Sequence, residues 1–268
     1  MVDLFDRTPG FGGGSTFTRM PDNNGNGSPD PYDIGRSVTG SVGPDRIIGT
    51  DGDDILNGFS DRDIIFGRGG NDIINGGSDP DALRGDEGND ILNGGTNNDD
   101  MDGGTGNDIL NGGDGNDLMR GGFGDDILNG GNGNDRMFGG HGVDRLNGGN
   151  GDDLLQGDAG NDILVGDRGN DALIGGLGRD RLTGGQGNDR FVYRSIREFG
   201  DIITDFEIVR DRIDLSAIFR GRGSMQNIRL QQRGLDTIVQ TVVGGQSYNL
   251  ATVQRVNANT LAARHFQF

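Results

Sequence analysis

The chain of 268 residues contains no cysteine and no lysine. Without cysteine there are no disulfides, no zinc–thiolate sites and no cysteine nucleophile. Without lysine there is no P-loop lysine, no Schiff base and no Ser–Lys catalysis. The two histidines, His141 and His265, leave histidine-based zinc hydrolysis and a Ser-His-Asp triad short of parts. No apolar run is long enough to span a membrane. The N-terminus, MVDLFDRTPGFGGG, lacks the basic and then apolar regions of a signal peptide. Only 31% of residues are hydrophobic and 55 are glycine, so an ordinary packed core would be thin. The 42 acids outnumber the 24 basic residues for a formal charge of -18, which makes nucleic acid and anionic lipid poor partners and cations good ones.

What the chain does have is a period. Counting by nine from Asp45 meets Asp54, Asp63, Asp72, Asp81, Asp90, Asp99, Asp108, Asp117, Asp126, Asp135, Asp144, Asp153, Asp162, Asp171, Asp180 and Asp189 without a slip. Two residues after each aspartate stands an apolar side chain, from Ile47 through Leu110 to Phe191, and five residues before each stands a glycine, from Gly40 to Gly184. One large apolar residue per nine suits a short strand whose middle residue points inward. A helix of this period would have almost no apolar stripe. The glycines tolerate positive φ and close backbone approach, so they form tight turns whose carbonyls and amides can face an ion. Turn plus strand, repeated at fixed length, is a solenoid.

The repeat resembles the GGxGxDxUx nonapeptide of the calcium-binding RTX family over residues 40–193. The resemblance implies an all-β parallel β-roll, two nonapeptides per turn, with calcium between turns, each ion shared by the aspartate carboxylate and loop carbonyls of one turn and the loop eighteen residues on. The implied ligands are the aspartates named above and the loop glycines Gly103, Gly106, Gly112, Gly115, Gly121, Gly124, Gly130, Gly133, Gly148 and Gly151. The loops GFSDRD, GGSDPD and GGTNND carry Asp61, Asp79 and Asn97 in place of the fourth-position glycine, which makes Asp63, Asp81 and Asp99 weaker ligand candidates. Asp and Asn tolerate the left-handed conformation, so the coil is expected to continue there. Pairing each aspartate with the one eighteen residues later sets an upper bound of about 15 ions, in about 8.5 turns and a rod roughly 40 Å long. Hard oxygen donors without His or Cys select calcium-like cations. Carboxylates stacked this closely need cations, so calcium is expected to be a condition of folding.

Stacking aligns residues eighteen apart. One outward face carries Ile55, Ile73, Ile91, Ile109 and Ile127 beside Asn57, Asn75, Asn93, Asn111, Asn129 and Asn147. These rows either support neighbouring turns, as like residues do in cross-β stacks, or make a flat face for self-association or surface adhesion. The opposite face carries an alternating row of Arg84, Asp102 and Arg120, and His141 occupies a turn, where solvation is its simplest role.

Residues 1–39 read as a disordered or loosely ordered leader. Within it Asp22, Asn24, Asn26, Asp30 and Asp33 are spaced as in an EF-hand-like loop, a second candidate metal site whose alternative is a plain polar linker. Pro29 and Pro31 oppose the exiting helix of that motif. Residues 194–268 read as β-rich strands closing the end of the roll. They also resemble the C-terminal region of RTX proteins exported by type I systems, through Asp201, Ile203, Asp205, Phe206, Asp211, Ile213, Asp214, Leu215, Ser216 and the terminal HFQF. His265 stands where an acid is more typical. With no catalytic constellation, the expectation is a secreted, non-enzymatic calcium-binding protein. It would fold on meeting calcium outside a bacterial cell and serve a structural or adhesive role, with the type I machinery as a partner. The alternative is an accessory or secretion module of an extracellular enzyme.

Overall fold

The computed structural model describes residues 16–18, 37–220 and 223–268. The nonapeptides alternate between two parallel sheets, so that strand neighbours lie eighteen residues apart: Leu110 pairs with Leu128 in one sheet and Met119 with Met137 in the other. The result is a parallel β-solenoid of about 10 turns, with sheets of 14 and 11 strands. Among the described residues the only α-helix is the four-residue Ser216–Phe219.

The strands are longer than the pattern implies. A three-residue strand followed by a glycine turn is expected, yet Ile109–Asp114 and its equivalents run for six residues. The ladder continues through the glycine pair, with Gly113 opposite Gly131. Each such strand therefore presents two inward positions, Leu110 and Gly112 in this case. The first fills the core. The second leaves a slot.

The inward side chains form one column from Val38 through Met119 to Phe191, continued by Ile203, Ile213, Val253 and Phe266. One large apolar residue per nonapeptide is little burial against the cost of ordering nine residues, so polar stacking carries much of the structure. Asn75, Asn93, Asn111 and Asn129 each donate a side-chain N–H to the Oδ1 of the asparagine one turn earlier, at 2.8 to 2.9 Å. Ile55 and Ile73 beside this ladder are exposed, whereas Ile91, Ile109 and Ile127 are half-buried by their stacked neighbours. On the opposite face Arg84 pairs with Asp102 at 2.6 Å, but Arg120 turns to Asp100 at 2.8 Å. His141 is not simply solvated: its ring stacks on Phe123 with centroids 4.8 Å apart.

Stacking begins at Ser37–Thr39, which pairs with Ile55–Phe59 and receives Thr16–Thr18 antiparallel on its other side. At the far end Asp201–Ile203 and Arg212–Asp214 continue the two sheets. Gln246–Val253 then joins the first sheet, followed by antiparallel Asp236–Val243 and Ile228–Arg233, while Phe266–Gln267 closes the second. His265 anchors this closure from a fully buried position. Its Nδ1 accepts the Ala262 N–H at 2.8 Å, and Nε2 lies 2.9 Å from the Ile208 carbonyl oxygen. The EF-hand-like spacing at Asp22, Asn24, Asn26, Asp30 and Asp33 lies outside the described residues.

Candidate metal centre

All seventeen ladder aspartates are buried, none more than 3% exposed. Each carboxylate from Asp63 onward faces the neighbouring turn and not water. One oxygen has a regular partner. From Asp63 to Asp189, each Oδ1 accepts the backbone N–H of the aspartate one turn earlier, at 2.7 to 3.0 Å. The other oxygen has none: Oδ2 is buried without a hydrogen bond in every one of those fifteen aspartates. In Asp45 and Asp54 it accepts N–H and hydroxyl groups from Ser41 and Thr50. Native proteins rarely leave buried polar atoms unsatisfied, so fifteen in register point to a partner from outside the chain.

The slot beside each Oδ2 identifies that partner's class. A methyl group added at Gly121 would sit 2.7 Å from the carbonyl oxygen of Gly139 and closer still to Oδ2 of Asp126. Gly103, Gly112, Gly130 and Gly148 frame the same slot, each between the aspartate of its own loop and the carbonyl of the next turn. These glycines are required by space: no left-handed φ occurs at Gly103, Gly112, Gly121, Gly130 or Gly148. The fourth-position glycines differ. Gly124 has φ +126° and lies over the carbonyl oxygen of Gly106, and Gly142, Gly133 and Gly151 likewise cover Gly124, Gly115 and Gly133. Carboxylate and carbonyl oxygens thus converge between turns with acceptors only. A hard divalent cation fits such a donor set; a hydrogen-bond donor would have to come from outside. No three His, Asp or Glu side chains converge among the described residues, which agrees with one carboxylate per loop supplemented by backbone.

From Asp63 to Asp171 burial raises the carboxyl pKa values, opposed by the backbone N–H bond and in most of them reinforced by neighbouring carboxylates. Asp72, Asp99, Asp126 and Asp162 rise to about 7, and Asp90, Asp108, Asp117 and Asp144 to about 6. Asp63 and Asp81, in the departing loops, behave in the same way, at about 6 and about 7. Asp61, Asp79 and Asn97 adopt φ of +68°, +78° and +77° and let the coil pass.

Two features go beyond the nine-residue count. Where the residue before the aspartate is Asn or Asp, it builds an outer ladder, in which Asn89 Oδ1 accepts the Asn107 N–H at 2.6 Å and Asn116 Oδ1 the Asn134 N–H at 2.6 Å. Its signal is the recurrent Asn or Asp at the fifth position. The carboxylate columns also extend to Asp201 and Asp211, whose Oδ1 atoms accept the N–H groups of Asp180 and Asp189 at 3.1 Å each. Counting by nine misses both, although each keeps an isoleucine two residues on.

The RTX calcium-binding nonapeptide repeat matches in overlapping blocks that span residues 39–193, more than half of the chain. The chain belongs to the RTX calcium-binding repeat family. RTX repeats bind several calcium ions and are non-catalytic modules. No curated protein matches the RTX chain. Among solved structures, the AlgE6R2 subunit of the Azotobacter vinelandii mannuronan C5-epimerase is 28% identical over 49% of this chain and 91% of its own, with a TM-score of 0.40. The AlgE6R3 subunit of the same enzyme is 30% identical over 51% and 79%, with a TM-score of 0.30. The extracellular lipase LipA of Serratia marcescens is 16% identical over 71% of the RTX chain and 40% of its own, with a TM-score of 0.35.

Proposed function

We propose that this RTX chain is a secreted structural or adhesive protein whose roll folds when it meets extracellular calcium. The supporting observation is the register of fifteen buried, unpartnered Oδ2 atoms. Ionised and without a counter-charge, stacked carboxylates repel one another and oppose the fold. Bound calcium supplies the counter-charge, and the ladder aspartates with the loop carbonyls of Gly103, Gly106 and their equivalents hold it. In calcium-poor cytosol the chain stays open for export by type I machinery; outside, it closes. RTX repeats are typical of secreted proteins, and no helix among the described residues is long and apolar enough to cross a membrane.

The Ile55–Ile127 strip is the docking face in this reading, with a second copy of the roll as occupant. The strip and its asparagine ladder are uncharged on a molecule of formal charge -18, so face-to-face contact there brings no acids together. Sedimentation in chelator and in millimolar calcium, with wild type and Ile91→Arg plus Ile109→Arg, tests both parts. The wild type is expected to be expanded in chelator and a compact dimer in calcium, and the variant a compact monomer in calcium. Equal mass for both proteins in calcium would remove the docking face.

A further inference from the structure

One carboxylate column closes differently from the other where the roll meets the C-terminal strands. In the column of Asp189 the closure is made by N–H donors. Asp211 takes the Asp189 N–H at 3.1 Å on Oδ1 and the Glu207 N–H at 2.7 Å on Oδ2. Asp205 takes the N–H groups of Gly184 and Gly185 at 2.9 and 2.8 Å. Each carboxylate added there has its protons supplied by the backbone.

The column of Asp180 ends on buried side-chain oxygens. The Asp180 N–H reaches Asp201 Oδ1 across 21 residues instead of eighteen, and Ile196 stands where a loop glycine would stand five residues before Asp201. No GGxGx loop builds this gap. Asp180 and Asp201 are 1% and 0% exposed, and Tyr193 is 1% exposed. Asp180 Oδ2, Asp201 Oδ2 and the Tyr193 hydroxyl are all buried without a hydrogen-bond partner. The Tyr193 hydroxyl and the Asp180 carboxyl both interact with the Asp201 carboxyl, but outside the geometry of a formed hydrogen bond. Glu198, 8% exposed, adds negative charge beside them while its Oε2 is taken by the Arg194 N–H at 2.7 Å.

We propose that Asp180 and Asp201, with the Tyr193 hydroxyl against them, hold a further divalent cation, calcium, at the junction of the roll and the C-terminal strands. Asp201 brings a carboxylate that no nonapeptide gap uses, Asp180 is shared with the last gap of the roll, and their hard oxygens match calcium. The site lies outside the fifteen gaps between nonapeptides. It staples Asp201–Ile203 to Arg181–Gln186, and through Asp201–Ile203 the whole antiparallel cap. The inference rests on the repeats binding calcium, and its test separates the two.

Asp201→Asn keeps an Oδ1 acceptor for the Asp180 N–H and removes the charge. Native mass spectrometry of the calcium-loaded chain is expected to show one ion fewer in Asp201→Asn than in wild type, with the other ions retained. A second measurement starts from a chain that keeps Asp201. Tyr32→Phe plus Tyr248→Phe leaves Tyr193 as the only tyrosine of three, and terbium replaces calcium. Tyrosine-sensitised terbium emission is expected, falling severalfold when Asp201→Asn is added. An unchanged ion count with unchanged emission would overturn the site and leave a shared proton between the two carboxyls. A wild type that binds no calcium at all would instead remove the reading beneath it.

Discussion

Gly124→Val is expected to prevent the central turns from closing, at a cost above ~4 kcal/mol, beyond the range of ordinary substitutions. Gly124 holds φ +126°, a region a β-branched residue scarcely enters. Its Cβ would also fall on the carbonyl oxygen of Gly106 in the adjacent turn. Backbone on backbone has no rotamer to relieve it, and moving the turn would open the slots of Asp108 and Asp126 together. The effect should spread, because each repeat is stable through its neighbours. Gly43→Ala is the control, since a Cβ there meets only Ser41 Oγ at 3.9 Å. Calcium titrations followed by far-UV circular dichroism are expected to show an unchanged midpoint for Gly43→Ala. For Gly124→Val the transition should be lost or broken. A wild-type transition in Gly124→Val would refute the close stacking of fourth-position glycines.

The second large effect is of pH, and calcium reverses it. Buried ladder carboxyls in the calcium-free roll have pKa values raised to about 6 or about 7, against ~3.9 for aspartate in an unfolded chain. The folded state therefore binds protons more tightly than the unfolded one. That contribution to stability is complete below the unfolded value and is lost as pH rises through about 6 to 7. In chelator, β structure is expected to survive better at pH 5 than at pH 8. With calcium present the protons become competitors, since a ligand carboxylate must be ionised. The calcium midpoint for folding is expected to be roughly tenfold or more higher at pH 5 than at pH 8, with protons released on binding near neutral pH. A midpoint independent of pH would mean that the buried carboxyls do not hold the ion.

Much of this was legible from spacing alone. The period of nine, the inward Leu110 and its equivalents, and the asparagine ladder follow from counting, because a coil repeats its environment whenever it repeats its length. The six-residue strands were not legible, since glycine pairs read as turns; the pairing of Gly113 with Gly131 leaves no mark on composition. The role of Gly121 was half visible. Its presence was expected, but only the inward pattern shows that it is needed for the room it leaves beside Asp126 and not for its φ. The bulky left-handed residues Phe59 and Arg68, at φ +83° and +84°, were hidden because the neighbouring turns impose that conformation. Asp201 and Asp211 stood out only through the C-terminal resemblance, and their place in the carboxylate columns was hidden because the spacing lengthens to 21 and 22 residues, which a fixed period cannot follow. His265 gave no sign of its anchoring role, because its partners lie at Ala262 and, across the fold, at Ile208.

The central claim is that calcium between turns is the counter-charge without which the roll does not form at neutral pH. Far-UV circular dichroism of the whole chain at pH 7.5, first in chelator and then titrated with calcium or magnesium, is the test. Magnesium is smaller, demands near-octahedral geometry and sheds water reluctantly, so it should substitute poorly. A cooperative gain of β signal with calcium and little with magnesium is the predicted result. A full β signal in chelator, unchanged by calcium, would contradict the account and make the roll a constitutive scaffold.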